Sequence, residues 1–392
     1  MLHKAADSIE EKSDMASASN CPTMLFGSFG YGNIGDEAVP SAFGRMACAA
    51  GEDLTVLPVS RFAKAPMPDI VYMGDAVRMD RSSLSGRTVF LSGGGIIEPH
   101  SNSCLNRLAE LRRQTAPFDI QPFAISCEPG VTFGFRERRR LRRLLRGLPE
   151  VLVRDEVSQR ALESIFQDVP VRVIGDIVLW LEGEALPGQY ARDLPERYIA
   201  VSLASIWDDE AFFSWVAAEL AQISRRLDAT ILLVPISNAV GDDVAQHRRL
   251  CRILDQDFGA RAQLFDFHGD PFPKPEWIAE IYGRASLVMS SRLHGCVIAY
   301  ACKTPFVGIG YHPKLQGFAR TVGWEDMIVP QTLPPRQSPG KYGYSWSDLS
   351  VALGAALAAA EDAVGHADFS ARDYFRMKQV QAFRRLREYR TG

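Results

Sequence analysis

Residues 286–311 read S-L-V-M-S-S-R-L-H-G-C-V-I-A-Y-A-C-K-T-P-F-V-G-I-G-Y, and this stretch decides the fold. Each end is a short apolar run that predicts a buried strand, and the middle, 296–303, predicts a helix. Two strands that flank one helix so closely must run in the same direction. The stretch therefore predicts a βαβ unit in a parallel sheet.

The same alternation of strand and helix continues on both sides of this unit. Buried strands are predicted at 88–95, 119–127 and 150–155, and the Pro- and Gly-containing segment 182–197 has the composition of an interdomain linker. The pattern predicts two α/β domains that face each other across a cleft. The predicted parts of the chain are a disordered tail at 1–22, an N-terminal domain at 23–185, a C-terminal domain at 186–330, and a linker with C-terminal helices at 331–392. The second of these helices is expected to pack back across the cleft.

Composition excludes several classes of protein. Of the 392 residues, 46% are hydrophobic and 23% are charged, which is typical of a globular chain and not of a disordered or fibrous one. The formal net charge of −3 gives no general attraction to nucleic acid. No apolar run is long enough to span a bilayer, and acids occupy the first residues where a secretory signal needs an apolar stretch, so we expect a cytoplasmic protein. Seven scattered cysteines without a C-x-x-C pair indicate neither a disulfide framework nor a zinc site.

Three side chains that suit an anion follow the strands of the βαβ unit. Arg292 and His294 stand where the first strand gives way to the helix, with Ser291 as the expected N-cap, and Lys314 follows the second strand. Ligands bind at the carboxyl ends of such strands, where a helix N-terminus adds N–H groups. We predict a multiply charged anion here, with His294 able to move a proton near neutral pH. Taken singly, a residue such as Arg292 is more often a surface charge, and one such as His294 is more often a cap or a satisfied core residue; their clustering favours a function.

The segment G-S-F-G-Y-G-N-I-G-D-E at 27–37 predicts a loop that approaches a ligand closely before a helix begins near Asp36. Its glycines match G-x-G-x-x-G, but Asp36 and Glu37 follow at once and would oppose a pyrophosphate. The two acids suit sugar hydroxyls or general-base catalysis on one of them. The alternative is that both acids only stabilise the helix N-terminus.

Two further segments follow strands and carry a charged residue. S-G-G-G-I-I-E at 92–98 predicts a glycine loop with Glu98 beyond it. Arg154 lies at the end of the strand predicted at 150–155, where it can hold the anion or pair with Asp155 or Asp176; the sequence leaves these alternatives open.

Two predicted helices are strongly basic. F-R-E-R-R-R-L-R-R-L-L-R-G at 135–147 has seven arginines and one acid, and the terminal helix has seven basic residues at 372–390. Such runs are more often solvated faces than contacts with anionic lipid. The lipid alternative would place the protein at the inner face of the membrane.

Taken together, these segments resemble the polysaccharide pyruvyl transferase family. The resemblance covers 23–323 and is carried by G-N-I-G-D-E, the loop at 92–98, V-R-D-E-V-S at 153–158, and above all S-R-L-H-G followed by P-F-V-G-I-G-Y-H-P-K. It implies two facing Rossmann-like domains in a GT-B-like α/β arrangement with a C-terminal helical extension. It also implies a pyruvyl transferase that moves the pyruvyl group of phosphoenolpyruvate onto a sugar as a ketal, in exopolysaccharide or cell-surface polysaccharide biosynthesis.

The resemblance and the charge pattern together define the predicted site. The residues predicted to bind phosphoenolpyruvate are Arg154, Arg292, Leu293, His294 and Lys314. The residues predicted on the acceptor side are Asn33, Gly35, Asp36 and Glu98. In the predicted mechanism His294 protonates the methylene carbon, Asp36 or Glu37 takes a proton from a sugar hydroxyl, phosphate leaves, and a second hydroxyl closes the ketal. We expect no metal and no cofactor besides the donor; the acceptor is a saccharide, lipid-linked or free.

Two other functions remain open at this stage. A-C-K-T-P-F-V also resembles a segment of GT-B nucleotide-sugar glycosyltransferases, but the helix before it has no acid to hold a ribose. The second alternative is a catalytically inactive relative that binds sugars or anions.

Overall fold

The computed structural model describes residues 24–29, 32–52, 57–60, 71–72, 88–97, 118–127, 133–205, 210–237, 243–265, 267, 273–329, 345–366 and 368–391. Within these ranges the chain forms two parallel sheets, one of seven strands and one of six. The tail predicted at 1–22 lies outside the described residues, and so does Glu98.

The first sheet has the strand order β3-β2-β1-β4-β5-β6-β7, and every described pair is parallel. Its strands are β1 (Met24–Gly27), β2 (Leu57–Ser60), β3 (Val71–Tyr72), β4 (Thr88–Ile97), β5 (Asp119–Cys127), β6 (Val151–Val153) and β7 (Val171–Val173). Its described helices are α1 (Ile34–Ala49), α2 (Phe135–Leu144) and α3 (Glu156–Glu163). The direction in which strands are added reverses between β1 and β4, which is where α/β sheets of this kind bind ligands.

The second sheet repeats this order as β10-β9-β8-β11-β12-β13, again with parallel pairs. Its strands are β8 (Tyr198–Ser202), β9 (Thr230–Leu233), β10 (Ala262–Leu264), β11 (Leu287–Ser290), β12 (Phe306–Ile309) and β13 (Ile328–Val329). Its helices are α4 (Gly188–Arg192), α5 (Glu210–Leu227), α6 (Asp243–Phe258), α7 (Pro275–Gly283), α8 (Leu293–Ala301) and α9 (Pro313–Val322). The order reverses between β8 and β11.

The central strands are buried on both faces because helices cover each sheet. Every residue of β8, β11 and β12 is buried, which explains why these strands are continuous apolar runs in the sequence. Helix α8 is also buried from its second residue, His294, to Ala301. Full burial of one Val, Leu or Phe side chain stabilises a fold by about 1.5–3 kcal/mol, so this core positions α8 firmly. The expected unit β11–α8–β12 is confirmed.

Two C-terminal helices, α10 (Trp346–His366) and α11 (Ser370–Thr391), follow the second sheet. Near its start α11 contacts the second half of the chain, where Arg372 Nη1 donates to the carbonyl oxygen of Ala301 (3.0 Å). Further along, the ring of Phe383 packs against Phe43 and Phe90 of the first half, with ring centroids 6.0 and 5.4 Å apart. Helix α11 thus packs back across both halves, as expected from the sequence. The fold class, two Rossmann-like α/β sheets in a GT-B-like arrangement with a C-terminal helical region, is confirmed.

The structure differs from the sequence prediction at the glycine segment and at the sheet edges. Residues 92–97 do not leave the sheet as a loop: they belong to β4, whose pairing with β5 shifts register after Leu91 and again after Gly93, which has φ +108°. The short strands β3, β10 and β13 at sheet edges, and β2 next to an edge, were not predicted. Within the described ranges, every helix is too short or too polar to cross a lipid bilayer. The domain boundaries at 185 and 330 stay a prediction.

Candidate active site

The start of α1 ties the two sheets together at their carboxyl edges. Ile34 N–H donates to the carbonyl oxygen of Ile236, which follows β9 (3.0 Å), and Asn33 forms an isolated β-bridge with Ser237. Asn33 is the N-cap of α1, and its Nδ2 donates to Asp36 Oδ2 (2.8 Å). The first turn of α1 is therefore held at the interface between the sheets, and Asp36 is held in that turn.

Gly35 brings the imidazole of His294 against this turn. A Cβ built on Gly35 would lie 1.9 Å from His294 Nδ1, far inside van der Waals contact. The ring can therefore lie on α1 only because residue 35 has no side chain. His294 is 8% exposed, so it is sealed between the helices that begin after β1 and after β11.

Gly94 marks the point where three charged or titratable side chains meet. A Cβ on this residue would lie 3.5 Å from Arg154 Nη1, 3.6 Å from Asp36 Oδ1 and 3.8 Å from His294 Cε1. Asp36 comes from α1, Arg154 follows β6, and His294 belongs to α8. We call Asp36, Arg154 and His294 the central cluster; the space beside Gly94 is where a small ligand would touch all three.

Arg154 pairs with both carboxylates that the sequence offered, and one of its donors remains unused. Its Nε lies 3.1 Å from Asp155 Oδ2, and its Nη1 lies 3.4 Å from Asp176 Oδ2. The side chain is 3% exposed, yet among the described residues its Nη2 has no hydrogen-bond partner. A buried donor without a partner costs about 1–3 kcal/mol, and an anion would satisfy it.

Burial and neighbouring charges give Asp36 an unusual proton affinity. Desolvation, with the negative charge of Glu37 second, raises the pKa of Asp36 from 3.8 to about 7. The positive charges of Lys314 and Arg154 and the hydrogen bond from Asn33 oppose this rise. Near neutral pH, Asp36 is therefore protonated about half of the time.

The same surroundings act on His294 in the opposite direction. Desolvation, together with the positive charges of Arg154 and Lys314, lowers its pKa from 6.5 to about 4, although Asp176 favours the charged ring. Asp176 Oδ2 lies 3.8 Å from His294 Nε2. The imidazole is therefore neutral at pH 7. Two titratable groups whose pKa values are displaced in opposite directions at one point are typical of acid–base sites.

Arg292 has a strong partner of its own. Its Nε and Nη2 donate to Asp243 Oδ2 and Oδ1 at 2.8 and 2.5 Å, and the Asp243 side chain is fully buried. Arg292 is also the N-cap of α8; Ser291, the expected cap, instead accepts a hydrogen bond from the N–H of Ala204. The expectation of Ser291 as the cap was wrong because its hydroxyl bonds to the segment after β8. A contact between Arg292 and phosphoenolpyruvate stays a prediction.

The other predicted residues divide between the cluster and its surroundings. Glu37 is buried and its Oε1 accepts the N–H of Gly32 (3.2 Å), so it holds the glycine loop. Lys314 lies in the first turn of α9, and its charge acts on both Asp36 and His294. Leu293, the first residue of α8, is half-buried. Among the described residues, no group of three or more His, Cys, Asp or Glu side chains could hold a metal ion.

Sequence reasoning gave too little weight to Asp176, Asp243 and Gly94. Asp176 follows β7 in the way that Arg154 follows the adjacent β6, so its place at the sheet edge could have been predicted. Asp243 begins α6 and offered no local signal, because its pairing with Arg292 joins segments far apart in the chain.

Comparison with known proteins gives one family and one fold. Residues 33–313 match the sequence model of the polysaccharide pyruvyl transferase family. No curated protein sequence matches the chain. The UDP-GlcNAc 2-epimerase of Methanocaldococcus jannaschii is similar in structure, with a TM-score of 0.51, 11% identity, and coverage of 85% of this chain and 91% of that one. At this identity the likeness concerns the fold alone.

Two transferase structures are also similar, with lower scores. A glycosyltransferase from Rickettsia africae has a TM-score of 0.46 at 11% identity, covering 93% of this chain and 98% of that one. The ADP-heptose lps heptosyltransferase II of E. coli has a TM-score of 0.46 at 12% identity, covering 86% and 99%.

Proposed function

The chain belongs to the polysaccharide pyruvyl transferase family, and from that premise we propose that it transfers the pyruvyl group of phosphoenolpyruvate onto two hydroxyls of a sugar, as a ketal. The product would enter an exopolysaccharide or another cell-surface polysaccharide. One observation carries the proposal beyond the family: Asp36, Arg154 and His294 converge at Gly94, between the two sheets. This cluster combines an anion-binding cation with an acid–base pair, which are the two things that the reaction needs.

Phosphoenolpyruvate brings a carboxylate and a phosphate, about three negative charges, to this point. The unpartnered Nη2 of Arg154 can donate to one of its oxygens, and the charge of Lys314 stabilises the anion. Helix α8 begins without a side-chain cap, so the N–H groups of its first turn point toward the same edge. These N–H groups support a position for phosphoenolpyruvate between Arg154 and the start of α8.

Binding of the anion would prepare His294 to act as an acid. The ring is neutral in the free protein because burial and two cations lower its pKa to about 4. A trianion beside it reverses the electrostatic part of this effect, so the pKa of His294 rises and the ring takes up a proton. Asp176, 3.8 Å away, also favours the imidazolium. The acid is thus formed only when the donor is present.

The reaction then balances without any further reactant. His294 gives its proton to the methylene carbon (C3), and a sugar hydroxyl oxygen forms a bond to C2 while its proton passes to a base. The bond between C2 and the phosphate oxygen breaks with its electron pair, and the second hydroxyl attacks C2 and loses its own proton. Of the two hydroxyl protons, one replaces the proton on His294 and the other leaves on phosphate. The products are the ketal and hydrogen phosphate.

We assign the base to Asp36 rather than to Glu37. Asp36 Oδ1 is one of the three atoms that converge at Gly94, whereas Glu37 is engaged with the N–H of Gly32. A pKa of about 7 suits a base that must accept and release a proton near neutral pH.

The test is release of inorganic phosphate from phosphoenolpyruvate, with a panel of hexopyranoside acceptors, and mass spectrometry of the product for a pyruvyl ketal. His294→Gln should reduce turnover by at least about 10²-fold, the usual contribution of a general acid, with an unchanged thermal midpoint within a few degrees. Activity close to that of the wild type would refute the role of His294. Nucleotide release from a parallel panel of nucleotide sugars would refute the proposal that phosphoenolpyruvate is the donor substrate.

A matched pair of arginines tests the donor site separately. Arg154→Lys keeps the charge but removes the unpartnered Nη2, so the KM for phosphoenolpyruvate should rise by about tenfold or more. Arg160→Lys is the control, because the Arg160 side chain is 64% exposed and pairs only with Glu156 among the described residues. Equal KM values for the two variants would exclude Arg154 from the donor site.

A further inference from the structure

Helix α2 carries a concentration of positive charge that the proposed reaction does not use. Residues 135–146 contain seven arginines and one acid, Glu137. Glu137 Oε2 accepts the N–H of Gly134 and so caps its own helix (2.7 Å). Among the described residues, none of the seven arginines forms an ion pair with a carboxylate. The helix therefore presents positive charge that nothing in the described structure neutralises.

The inner face of α2 is fixed to the first sheet. Leu141 and Leu144 are buried in a core cluster with residues of β4, β5 and β6. At the rim of this face, Arg138 Nε donates to the carbonyl oxygen of Phe133 before the helix (3.0 Å), and Arg142 Nε donates to that of Ile165 after α3 (2.7 Å). These contacts hold the helix in one orientation. Its outer face is therefore a rigid surface and not a freely moving tail.

The outer face combines exposed cations with one exposed aromatic ring. The exposed arginines are Arg136, Arg139, Arg140, Arg142, Arg143 and Arg146. Phe135 is 80% exposed, which is rare for a ring of this size. Phe135, Arg139, Arg142 and Arg146 have the spacing of one helix face, and with Arg138 and Arg143 they line a depression of about 630 Å³. We call this face the arginine surface.

The topology places the beginning of the arginine surface at the edge of the first sheet that carries the candidate active site. Helix α2 follows β5, and β5 lies between β4, which carries Gly94, and β6, which precedes Arg154. A helix that joins two parallel strands runs back across the sheet, so its first residues lie at the carboxyl edge. Phe135 therefore lies at the same edge of the first sheet as the central cluster.

We propose that the arginine surface docks the protein on an anionic phospholipid bilayer, with Phe135 inserted at the level of the headgroups. Guanidinium groups bind lipid phosphates with paired hydrogen bonds, and an aromatic ring on a basic helix is typical of a helix that lies on a membrane. Docking in this orientation would turn the carboxyl edge of the sheet toward a membrane-anchored saccharide. That last step rests on the proposed function; the binding to lipid does not.

The experiment is flotation of the full chain with lipid vesicles, one set of phosphatidylcholine alone and one set with about 30% phosphatidylglycerol. We expect flotation only with the anionic vesicles, and a loss of binding when salt is raised from 0.1 to 0.5 M. R139Q/R143Q/R146Q should weaken binding by about fivefold for each charge, on the order of a hundredfold in total. Adding Phe135→Gln to this triple variant should weaken vesicle binding further without affecting the thermal midpoint.

A control variant separates this surface from overall charge. R225Q/R248Q/R252Q removes three exposed arginines from α5 and α6, and it should bind vesicles within about twofold of the wild type. Equal weakening by both triple variants, binding to neutral vesicles as strong as to anionic ones, or no binding at all would overturn the proposal. Binding of phosphoenolpyruvate should be unchanged in both triple variants, so failure of lipid docking leaves the proposed reaction intact, and failure of the reaction leaves the docking test valid.

Discussion

Replacing Asp36 by asparagine should make the protein more stable while it removes activity. Burial and Glu37 raise the pKa of this carboxyl from 3.8 to about 7. Below pH 4 the folded and unfolded chains both hold the proton; between pH 4 and 7 only the folded chain does. Stability therefore falls as pH rises through this window, by about 1.4 kcal/mol per pH unit, to an upper limit of about 4 kcal/mol at pH 7 and above. An asparagine side chain at this position cannot ionise and does not carry this cost.

Because Asp36 is only partly buried, we expect Asp36→Asn to gain about 2–4 kcal/mol at pH 8 and almost nothing at pH 4. For a chain of this length, that is a rise of about 2–5 °C in the thermal midpoint. The assay is calorimetric melting of both proteins at pH 5, 6, 7 and 8, with ketal formation measured in parallel.

An exposed carboxylate provides a control of opposite sign. Asp348 accepts hydrogen bonds from Ser345, which lower its pKa, so Asp348→Asn should reduce stability at neutral pH. If the difference in stability between Asp36→Asn and the wild type does not change from pH 5 to pH 8, burial does not raise the pKa of Asp36. The assignment of a proton to Asp36 near neutral pH would then be wrong.

Three further outcomes follow from the same contacts. Gly35→Ala should abolish transfer, because its Cβ would lie 1.9 Å from His294 Nδ1. Gly354→Ala on α10 is the control, because its Cβ would have nothing within 4 Å. It should leave activity unchanged and raise the free energy of unfolding by about 1 kcal/mol, measured by thermal melting. Gln379→Met should lower kcat and shift the pH–rate profile more than it changes KM. The reason is that buried Gln379 Nε2 donates to the carbonyl oxygen of Asp176 (3.1 Å) and so positions the carboxylate beside His294. An unshifted profile would leave Gln379 with a structural role only. Titration calorimetry of phosphoenolpyruvate at pH 8, in buffers of different ionisation enthalpy, should show proton uptake on binding, and no uptake would contradict the proposed protonation of His294.

The sequence predicted the parts of the fold that depend on local pattern. The apolar runs at each end of 286–311 are typical of buried strands, and they form β11 and β12. The edge strands β3, β10 and β13 have only two or three residues each, too few for a period to be recognised. Their place is determined by the neighbouring strand rather than by their own residues.

The candidate site was predictable in its membership more than in its pairing. Asp36, Arg154 and His294 were each named because they follow a strand or begin a helix, and the structure brings them to one point. Which carboxylate each cation takes is a long-range property. Arg292 pairs with Asp243 across 49 positions of sequence, and His294 lies on Gly35 of the other half, and no local spacing contains either fact.

The balance of charge around the central cluster explains why its two displaced pKa values belong together. Two cations face three carboxylates there, and these groups are Arg154, Lys314, Glu37, Asp155 and Asp176. The free site therefore has no excess of positive charge, even when Asp36 is protonated, and a donor with about three negative charges could not be held there by the cations alone. Protons are the charges that can arrive with it, and His294 is the group that receives one when the anion raises its pKa, while ionised Asp36 remains available as the base. The neutral imidazole of His294 and the half-protonated Asp36 therefore belong to one acid–base site. Binding of the anion charges the imidazole, which then protonates the methylene carbon of the donor.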